Sequence, residues 1–411
     1  GRTATGNVWM DHVVEVKPSG SSGGEIVWAW HVWDHLIQDK DQSKSNYGTV
    51  ADHPELVDIN YKNSEGGGFG GSSTDWLHTN SVDYNEDLDQ IMISVLDFSE
   101  VWIIDHSTTK EEAASHSGGK HGKGGDLIYR FGNPAAYKSG SSSDRLLYGQ
   151  HGPEWISKGL QGAGNIIIFN NGNQSRGSSV DEFKLPVDAN GVYDLNTAPE
   201  KVWSYAPSGF YATNLGNAQR MANGNTLICQ GPQGTLWEVD SEKDIVWKYL
   251  SPVTSSGITQ QGQNPGGGMG MSPNQCFRAY RYAPDFAGFA GKNIKPPATP
   301  LEGGNLITVE PGKVVNVSTS GDVHVPEIFS LSSHTNPTSA TAINITIPRN
   351  TDVAVKIYNA DGREVATLVN QYLSTGNYSF PWNANGLAGG MYFVRLVTKN
   401  YTTAHRMVVL Q

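Results

Sequence analysis

The sequence has little of what helical, membrane-spanning and nucleic-acid-binding proteins require. Only 17% of its 411 residues are charged, below the ~25% of an average domain and far from the composition of a helical bundle. The net charge is −11 and there is no basic tract, so we predict no nucleic-acid partner. No apolar run reaches the ~18 residues that a membrane-spanning helix needs.

Cysteine is also scarce, with Cys229 and Cys276 as the only two. Two cysteines do not make a disulfide framework. In an oxidising compartment they could pair and tie the late part of the body together, and otherwise they would be two buried free thiols. The sequence leaves both alternatives open. The pair lacks a CxxC pattern, which argues against zinc.

Histidines occur near aspartates in the first part of the chain, where a metal site is conceivable. Their spacing matches no established metal-binding motif. We therefore predict neither a metal site nor a cofactor. The histidines concerned are His12, His31, His35 and His53.

Glycine is plentiful, at 48 residues, and Trp and Tyr are frequent. Such a composition is typical of short strands joined by Gly, Asn and Ser turns. Alternating Val, Ile and Trp predict half-buried strands, and their recurrence predicts the blades of a β-propeller. Asn171-Gly172 is a hairpin-turn signal. The recurring aromatic segments are residues 25–30, 126–131, 201–205 and 244–249.

We predict an all-β chain with three parts. Residues 1–300 form a β-propeller that is incomplete within this chain, and residues 301–327 form a linker with extra strands. Residues 328–411 hold short alternating strands and an Asp361-Gly362 turn, which predict an immunoglobulin-like β-sandwich. Glycine- and serine-rich stretches, such as residues 63–73, are predicted to be loops.

The body carries a set of motifs at residues 11–16, 28–38, 75–82, 99–102, 105–106, 150–151, 165–172, 223–227 and 277–282. Together these motifs resemble the arylsulfotransferase family of propeller enzymes. The tail carries a second set at residues 336–337, 355–358, 361–363, 376–378, 382, 387 and 390–396. This set is similar to the type IX secretion sorting domain, which implies the outer-membrane secretion machinery as a partner and a secreted or cell-surface location in a Gram-negative-type bacterium.

The resemblance implies transfer of a sulfuryl group from an aryl sulfate to a phenol through a sulfohistidine intermediate, without a cofactor. His151 matches the family's nucleophile, and His78 and Asn80 match the residues that hold the sulfuryl oxygens. The chemistry requires a neutral imidazole with an accessible nitrogen, surrounded by hydrogen-bond donors. On a strand, residues i and i+2 share a face, which predicts that His78 and Asn80 point at one ligand.

Two departures from the family leave enzymatic activity open. Leu96 aligns with an arginine that neutralises the sulfate, and Asp97 stands beside it. Arg220, Arg278 or Arg281 would have to substitute, although structural ion pairs are the more ordinary role for all three.

The second departure concerns the propeller, because the family has a further portion upstream that contributes another histidine. An N-terminal fragment could complete it, the body could close differently, or another molecule could fill the gap. The alternative function is a non-catalytic extracellular structural protein that self-associates into filaments through exposed sheet edges.

Overall fold

The computed structural model describes residues 9–61, 75–195, 197–260, 263, 265, 272–292, 329–333, 340–349, 351–373, 376–384, 386–399 and 401–409. Over this part of the chain the structure is nearly all β, which confirms the predicted fold class. No helix in these ranges is long and apolar enough to cross a membrane. Two compact units form, one from residues 1–236 with 267–284 and the other from residues 237–266 with 285–411. The three predicted domain boundaries stay predictions.

The first unit contains one short α-helix, α1 (Lys110–Ala113), among its described residues. Its strands are β1 (His12–Ser19), β2 (Gly23–His31), β3 (Leu36–Ile37), β4 (Val57–Asp58), β5 (Thr79–Asn85), β6 (Gln90–Val95), β7 (Glu100–Asp105), β8 (Leu127–Phe131), β9 (His151–Trp155), β10 (Ile166–Asn173), β11 (Gly177–Lys184), β12 (Glu200–Tyr205), β13 (Asn217–Arg220), β14 (Thr226–Gln230) and the first residues of β15 (Thr235–Val239).

Two four-stranded antiparallel meanders form the centre of this unit, in the orders β5-β6-β7-β8 and β9-β10-β11-β12. The strands β1 and β2 form a hairpin, and so do β13 and β14. The aromatic segments at 126–131 and 201–205 are confirmed as strands, and each is the last strand of its sheet. The closed propeller stays a prediction.

In the sheet that begins with β5, the strands β6, β7 and β8 are buried on both faces. Along β6, Ile91 and Ile93 enter one hydrophobic core whereas Met92 enters another. On β7, Trp102 faces the first core and Ile103 the second. Because side chains alternate across a strand, a sheet between two cores needs a continuous apolar run. This explains why residues 90–95 and 100–105 lack the usual polar alternation.

The second unit ends in a two-layered arrangement of antiparallel sheets, in the orders β19-β20-β23 and β22-β21-β24-β25. Ile345 from the first sheet and Val355 and Leu396 from the second share one core. The linker, residues 301–327, and the loop at 63–73 lie outside the described residues. The immunoglobulin-like topology stays a prediction. The strands of this unit after β15 are β16 (Ile245–Leu250), β17 (Val253–Thr254), β18 (Gly257–Ile258), β19 (Ser330–Ser333), β20 (Ala340–Ile347), β21 (Thr351–Asn359), β22 (Glu364–Leu373), β23 (Gly376–Asn383), β24 (Gly390–Thr398) and β25 (Thr402–Val409).

The local predictions for the cysteines and for Asn171-Gly172 have different outcomes. Cys229 and Cys276 are free thiols, with the Cys229 sulfur 3.8 Å from the Cys276 carbonyl oxygen. The hairpin predicted from Asn171-Gly172 is present, because β10 pairs antiparallel with β11, but its turn lies at residues 174–176 and β10 continues to Asn173. Gly172 has a φ of +68° and forms an irregularity inside the hairpin, and a Cβ there would meet the carbonyl oxygen of Gly177. The bulge places Asn171 beside His151.

Candidate functional site

The candidate site lies where β5 and β9, the first strands of the two meanders, run beside each other. The Asn80 amide Nδ2 donates to the carbonyl oxygen of Gln150 over 2.8 Å. Further along, the backbone N–H of Trp155 donates to Asp83 Oδ2 over 2.8 Å. These two contacts bring Asn80 next to the start of β9, where His151 is the first residue.

His151 is held in one tautomer by acceptors. Its Nδ1 lies 2.8 Å from Asn171 Oδ1 and 3.1 Å from the Gly149 carbonyl oxygen. The Asn171 amide Nδ2 donates to the carbonyl oxygens of Ala212 and Leu215, so its Oδ1 must face the imidazole. A nitrogen between two acceptors carries the proton. Nε2 therefore carries the lone pair.

The environment also keeps the imidazole of His151 uncharged. The side chain is buried, and burial lowers its pKa to about 4. The positive charges of His78 and Arg278 lower the pKa further, whereas the hydrogen bonds to Asn171 and Gly149 oppose the shift. At neutral pH the ring is therefore neutral. A neutral imidazole with a fixed lone pair is what a nucleophilic histidine needs.

His78 reaches the site by a different geometry from the predicted one. It precedes β5 rather than lying on it, and its φ is +50°, in the left-handed region. The prediction that His78 and Asn80 share a strand face is therefore wrong. Nδ1 of His78 pairs with Asp75 Oδ2 at 2.5 Å. The ring remains close enough for its charge to act on His151.

A cavity of about 530 Å³ adjoins β5. Thr79, Asn80 and Ser81 line it together with Arg278, whereas His78 and His151 are not among its lining residues. The Thr79 and Ser81 hydroxyls and the Asn80 Oδ1 atom are buried and have no hydrogen-bond partner among the described residues. Unpaired buried polar atoms are uncommon, and a row of them beside a cavity is suited to a polar ligand.

An extended segment after Cys276 supplies the cation of this site. Side-chain amides fasten it to β13. Asn217 exchanges hydrogen bonds with the backbone of Ala279 at 2.9 and 3.1 Å, and Gln219 does the same with Arg281 at 2.8 and 3.2 Å. The segment therefore follows β13 in a fixed register. This attachment places Arg278 on the cavity that Asn80 lines.

Of the three arginines considered as substitutes, Arg278 fits best. Its guanidinium lies 5.0 Å from the Phe277 ring centre, and that ring is 6.3 Å from the His151 ring. Arg220 is buried and pairs with Glu182 at 2.5 Å, so it has the ordinary structural role. Arg281 does not line this cavity.

Carboxyl groups with raised pKa values border the site. Burial raises the pKa of Asp97 to about 6, and the charge of His78 partly opposes this shift. Burial raises the pKa of Glu154 to about 8, helped by Asp83 and opposed by Arg278. Sequence reasoning missed Glu154 and Asn171. The motif containing Asn171 was recognised, but as a turn.

Comparisons with known proteins agree with the sequence motifs. The family model described as arylsulfotransferase matches residues 2–251, and the secretion system C-terminal sorting domain matches residues 335–410. No curated protein matches the chain.

Two solved structures are similar to parts of the chain at low sequence identity. A protein of unknown function from Bacteroides caccae is 12% identical, with coverage of 45% of this chain and 66% of its own. PorZ, a surface component of the type IX secretion system of Porphyromonas gingivalis, is also 12% identical, with coverage of 80% and 51%. The chain thus spans less than two thirds of either protein. Both TM-scores are 0.21, too low to carry an argument about the fold.

Proposed function

Because this chain belongs to the arylsulfotransferase family and carries a sorting domain that directs it out of the cell or to its surface, we propose that it transfers a sulfuryl group from an aryl sulfate to a phenol. The observation that carries the proposal is the lone pair on Nε2 of His151. It belongs to a neutral ring whose Nδ1–H is held by Asn171 and Gly149.

The reaction has two displacements. In the first, Nε2 of His151 attacks sulfur, an N–S bond forms, and the aryl oxygen leaves with the electrons of the S–O bond and takes up a proton. In the second, the oxygen of a phenol attacks the same sulfur, the N–S bond returns its electrons to Nε2, and the phenol loses its proton. The positive charge that the ring carries between the steps is stabilised through Nδ1–H by Asn171 Oδ1.

Groups around the cavity would hold the sulfuryl oxygens. One N–H of the Asn80 amide is committed to Gln150, and the second is available. The hydroxyls of Thr79 and Ser81 are donors without partners among the described residues. Arg278 supplies the charge that Leu96 cannot. His78 does not line this cavity, so its role in holding a sulfuryl oxygen stays a prediction from the resemblance.

The direct test uses the full chain, an aryl sulfate that releases a coloured phenolate, and a second phenol as acceptor. Wild type should form the sulfated acceptor, and incubation with the donor alone should leave a sulfuryl adduct on the peptide that contains His151. The His151→Ala variant should lose both, by at least about 10³-fold in rate. His53→Ala, at an exposed histidine paired with Glu55, should match wild type. A wild-type protein without turnover or adduct would contradict the proposal.

A specific observation favours the alternative of a self-associating, non-catalytic protein. The β1–β2 hairpin exposes Val14, Val16, Ile26 and Val27, each by 36–48%. Exposed apolar side chains on a hairpin are suited to contact with more protein, either another copy or a fragment that completes the propeller. Filaments in electron micrographs of a protein without sulfuryl transfer would support this alternative, whereas an active monomer would reject it.

A further inference from the structure

Three side chains from distant parts of the sequence meet on one side of the first unit. His35 ends the 3₁₀ turn that follows β2, His116 lies after α1, and Asp126 immediately precedes β8. Nδ1 of His35 and Nδ1 of His116 each lie 2.8 Å from the same oxygen, Oδ1 of Asp126. One atom from each of the three residues lies within 4.8 Å of the other two.

The hydrogen-bond partners of His35 decide what this cluster needs. Its ring is fully buried, and Nε2 lies 2.9 Å from the carbonyl oxygen of Ala113. A carbonyl only accepts, so Nε2 carries a proton. In a neutral ring Nδ1 then presents a lone pair toward the lone pairs of Asp126. Three states satisfy this contact: His35 is a fully buried cation, Asp126 carries a proton, or another cation lies among the three atoms.

We propose that these residues bind a divalent transition metal, with Zn²⁺ as the ion that fits best. Two neutral imidazoles and a carboxylate are a ligand set suited to Zn²⁺. The Nε2–H bond of His35 to the Ala113 carbonyl is the outer-shell contact that metal-binding histidines usually make. Tetrahedral zinc with bonds of about 2.0–2.2 Å separates its ligands by about 3.3 Å. The observed 2.8 Å separations therefore need to widen by only about half an ångström.

The surroundings keep the buried ligand in place. The Trp30 ring stacks on His35 with 5.6 Å between centres and an angle of 3°, and Trp30 Nε1 donates to the Gly125 carbonyl oxygen over 2.7 Å. Gly125 allows this close approach, since a Cβ there would lie 2.7 Å from His35 Nε2 and 2.0 Å from the Ala113 carbonyl oxygen. The tautomer and the direction of the ring are thus set before any ion arrives.

The fourth coordination position faces outward. His116 has a side chain that is 61% exposed and lines a cavity of about 610 Å³. Water can reach the ion from that side. Because the three ligands come from the turn after β2 and from two points of the loop before β8, the ion would fasten the β1–β2 hairpin to the first meander. The site is separate from the proposed reaction, and neither requires the other.

The experiment uses the full chain with a tag free of histidine, depleted with a chelator and then titrated with Zn²⁺ against a chelating dye. Wild type should bind one equivalent that survives desalting, measured by elemental mass spectrometry. His116→Ala removes an exposed ligand without opening the core, and it should weaken binding by more than about tenfold, since even outer-shell losses cost 10–100-fold. Asp126→Asn should weaken it similarly. His121→Ala, in the same loop but outside the cluster, should bind as wild type does.

A second readout separates this site from adventitious binding. If His35 is a cation without metal, Zn²⁺ must displace at least one proton per ion, and calorimetry in buffers of different ionisation enthalpy counts it. Equal zinc affinity of wild type and His116→Ala would overturn the proposal, and so would uptake without proton release. Co²⁺ in place of Zn²⁺ should give the intense visible absorption of a tetrahedral site in wild type and lose it in His116→Ala.

Discussion

Replacing Asp97 with asparagine tests the electrostatics of the candidate site, because it removes a charge and keeps the shape of the side chain. Asp97 is 8% exposed, and its Oδ1 has no hydrogen-bond partner among the described residues. Burial therefore makes the ionised carboxylate of Asp97 unfavourable in the folded protein, and this raises its pKa to about 6. An amide of the same shape carries no charge and should remove that cost.

The sign and size follow from linkage. The folded pKa lies above the ordinary value of 3.8, so the folded protein retains the proton more strongly than the unfolded chain. This stabilisation is fully present below pH 3.8 and is lost as the pH rises through 6. At 1.36 kcal/mol per pH unit the ceiling is ~3 kcal/mol. Because solvent partly screens this group, we expect Asp97→Asn to be more stable than wild type by ~1–2 kcal/mol at pH 8.

Denaturant unfolding at pH 4 and pH 8 measures this difference. The advantage of Asp97→Asn should fall below ~1 kcal/mol at pH 4, where Asp97 is largely protonated in the folded protein. Asp52→Asn removes the same charge at an exposed carboxylate and serves as the control for the loss of one negative charge. If Asp97→Asn and wild type differ equally at both pH values, Asp97 is not a strained carboxylate, and our account of the site's electrostatics fails.

Two further substitutions test the machinery around His151. Asn171→Ala should lower kcat by about tenfold or more with little change in KM, because Nδ1 of His151 loses its closer hydrogen-bond acceptor. An unchanged kcat would show that the Gly149 carbonyl alone orients the ring. Arg278→Ala should instead raise KM for the aryl sulfate by about tenfold, which is the effect of losing one charge-assisted hydrogen bond, and should change KM for a neutral phenol less. Arg278→Lys should restore part of the lost affinity. An equal KM in wild type and both variants would show that Arg278 does not contact the substrate.

The sequence was sufficient for the fold class and for the family because both depend on local patterns. Alternating Val, Ile and Trp predicted the strands, and motifs around His151 and Asn80 pointed to residues that lie on the neighbouring strands β5 and β9. The strand prediction at His78 was wrong because a left-handed residue interrupts the alternation before Thr79. Nothing local in the sequence indicates that possibility for a histidine.

The rest depends on pairings between distant residues, which one sequence does not reveal. The sequence alone does not distinguish the roles of Arg220 and Arg278. Only the ion pair with buried Glu182 shows that Arg220 has a structural role. The cluster of His35 and Asp126 spans 91 positions, so no spacing motif could indicate it. The neighbouring histidines that the sequence did suggest, such as His53, pair elsewhere, in that case with Glu55.

The balance of charge around β5 connects the two candidate functions. A sulfate ester brings a negative charge to a cavity lined by Asp11 and Arg278, with Asp97 buried nearby. With Asp97 ionised, its negative charge adds to that of Asp11 near the cavity and opposes a sulfate ester. With Asp97 protonated, between pH about 4 and about 6, this added charge is absent while His151 stays neutral. If the chain catalyses the proposed transfer, we therefore predict that its rate is highest in mildly acidic surroundings. Leu96, in place of the arginine that the resemblance implied, would then count against activity chiefly above that range. A failure to turn over at alkaline pH alone would not distinguish a structural protein from an enzyme that works in acid.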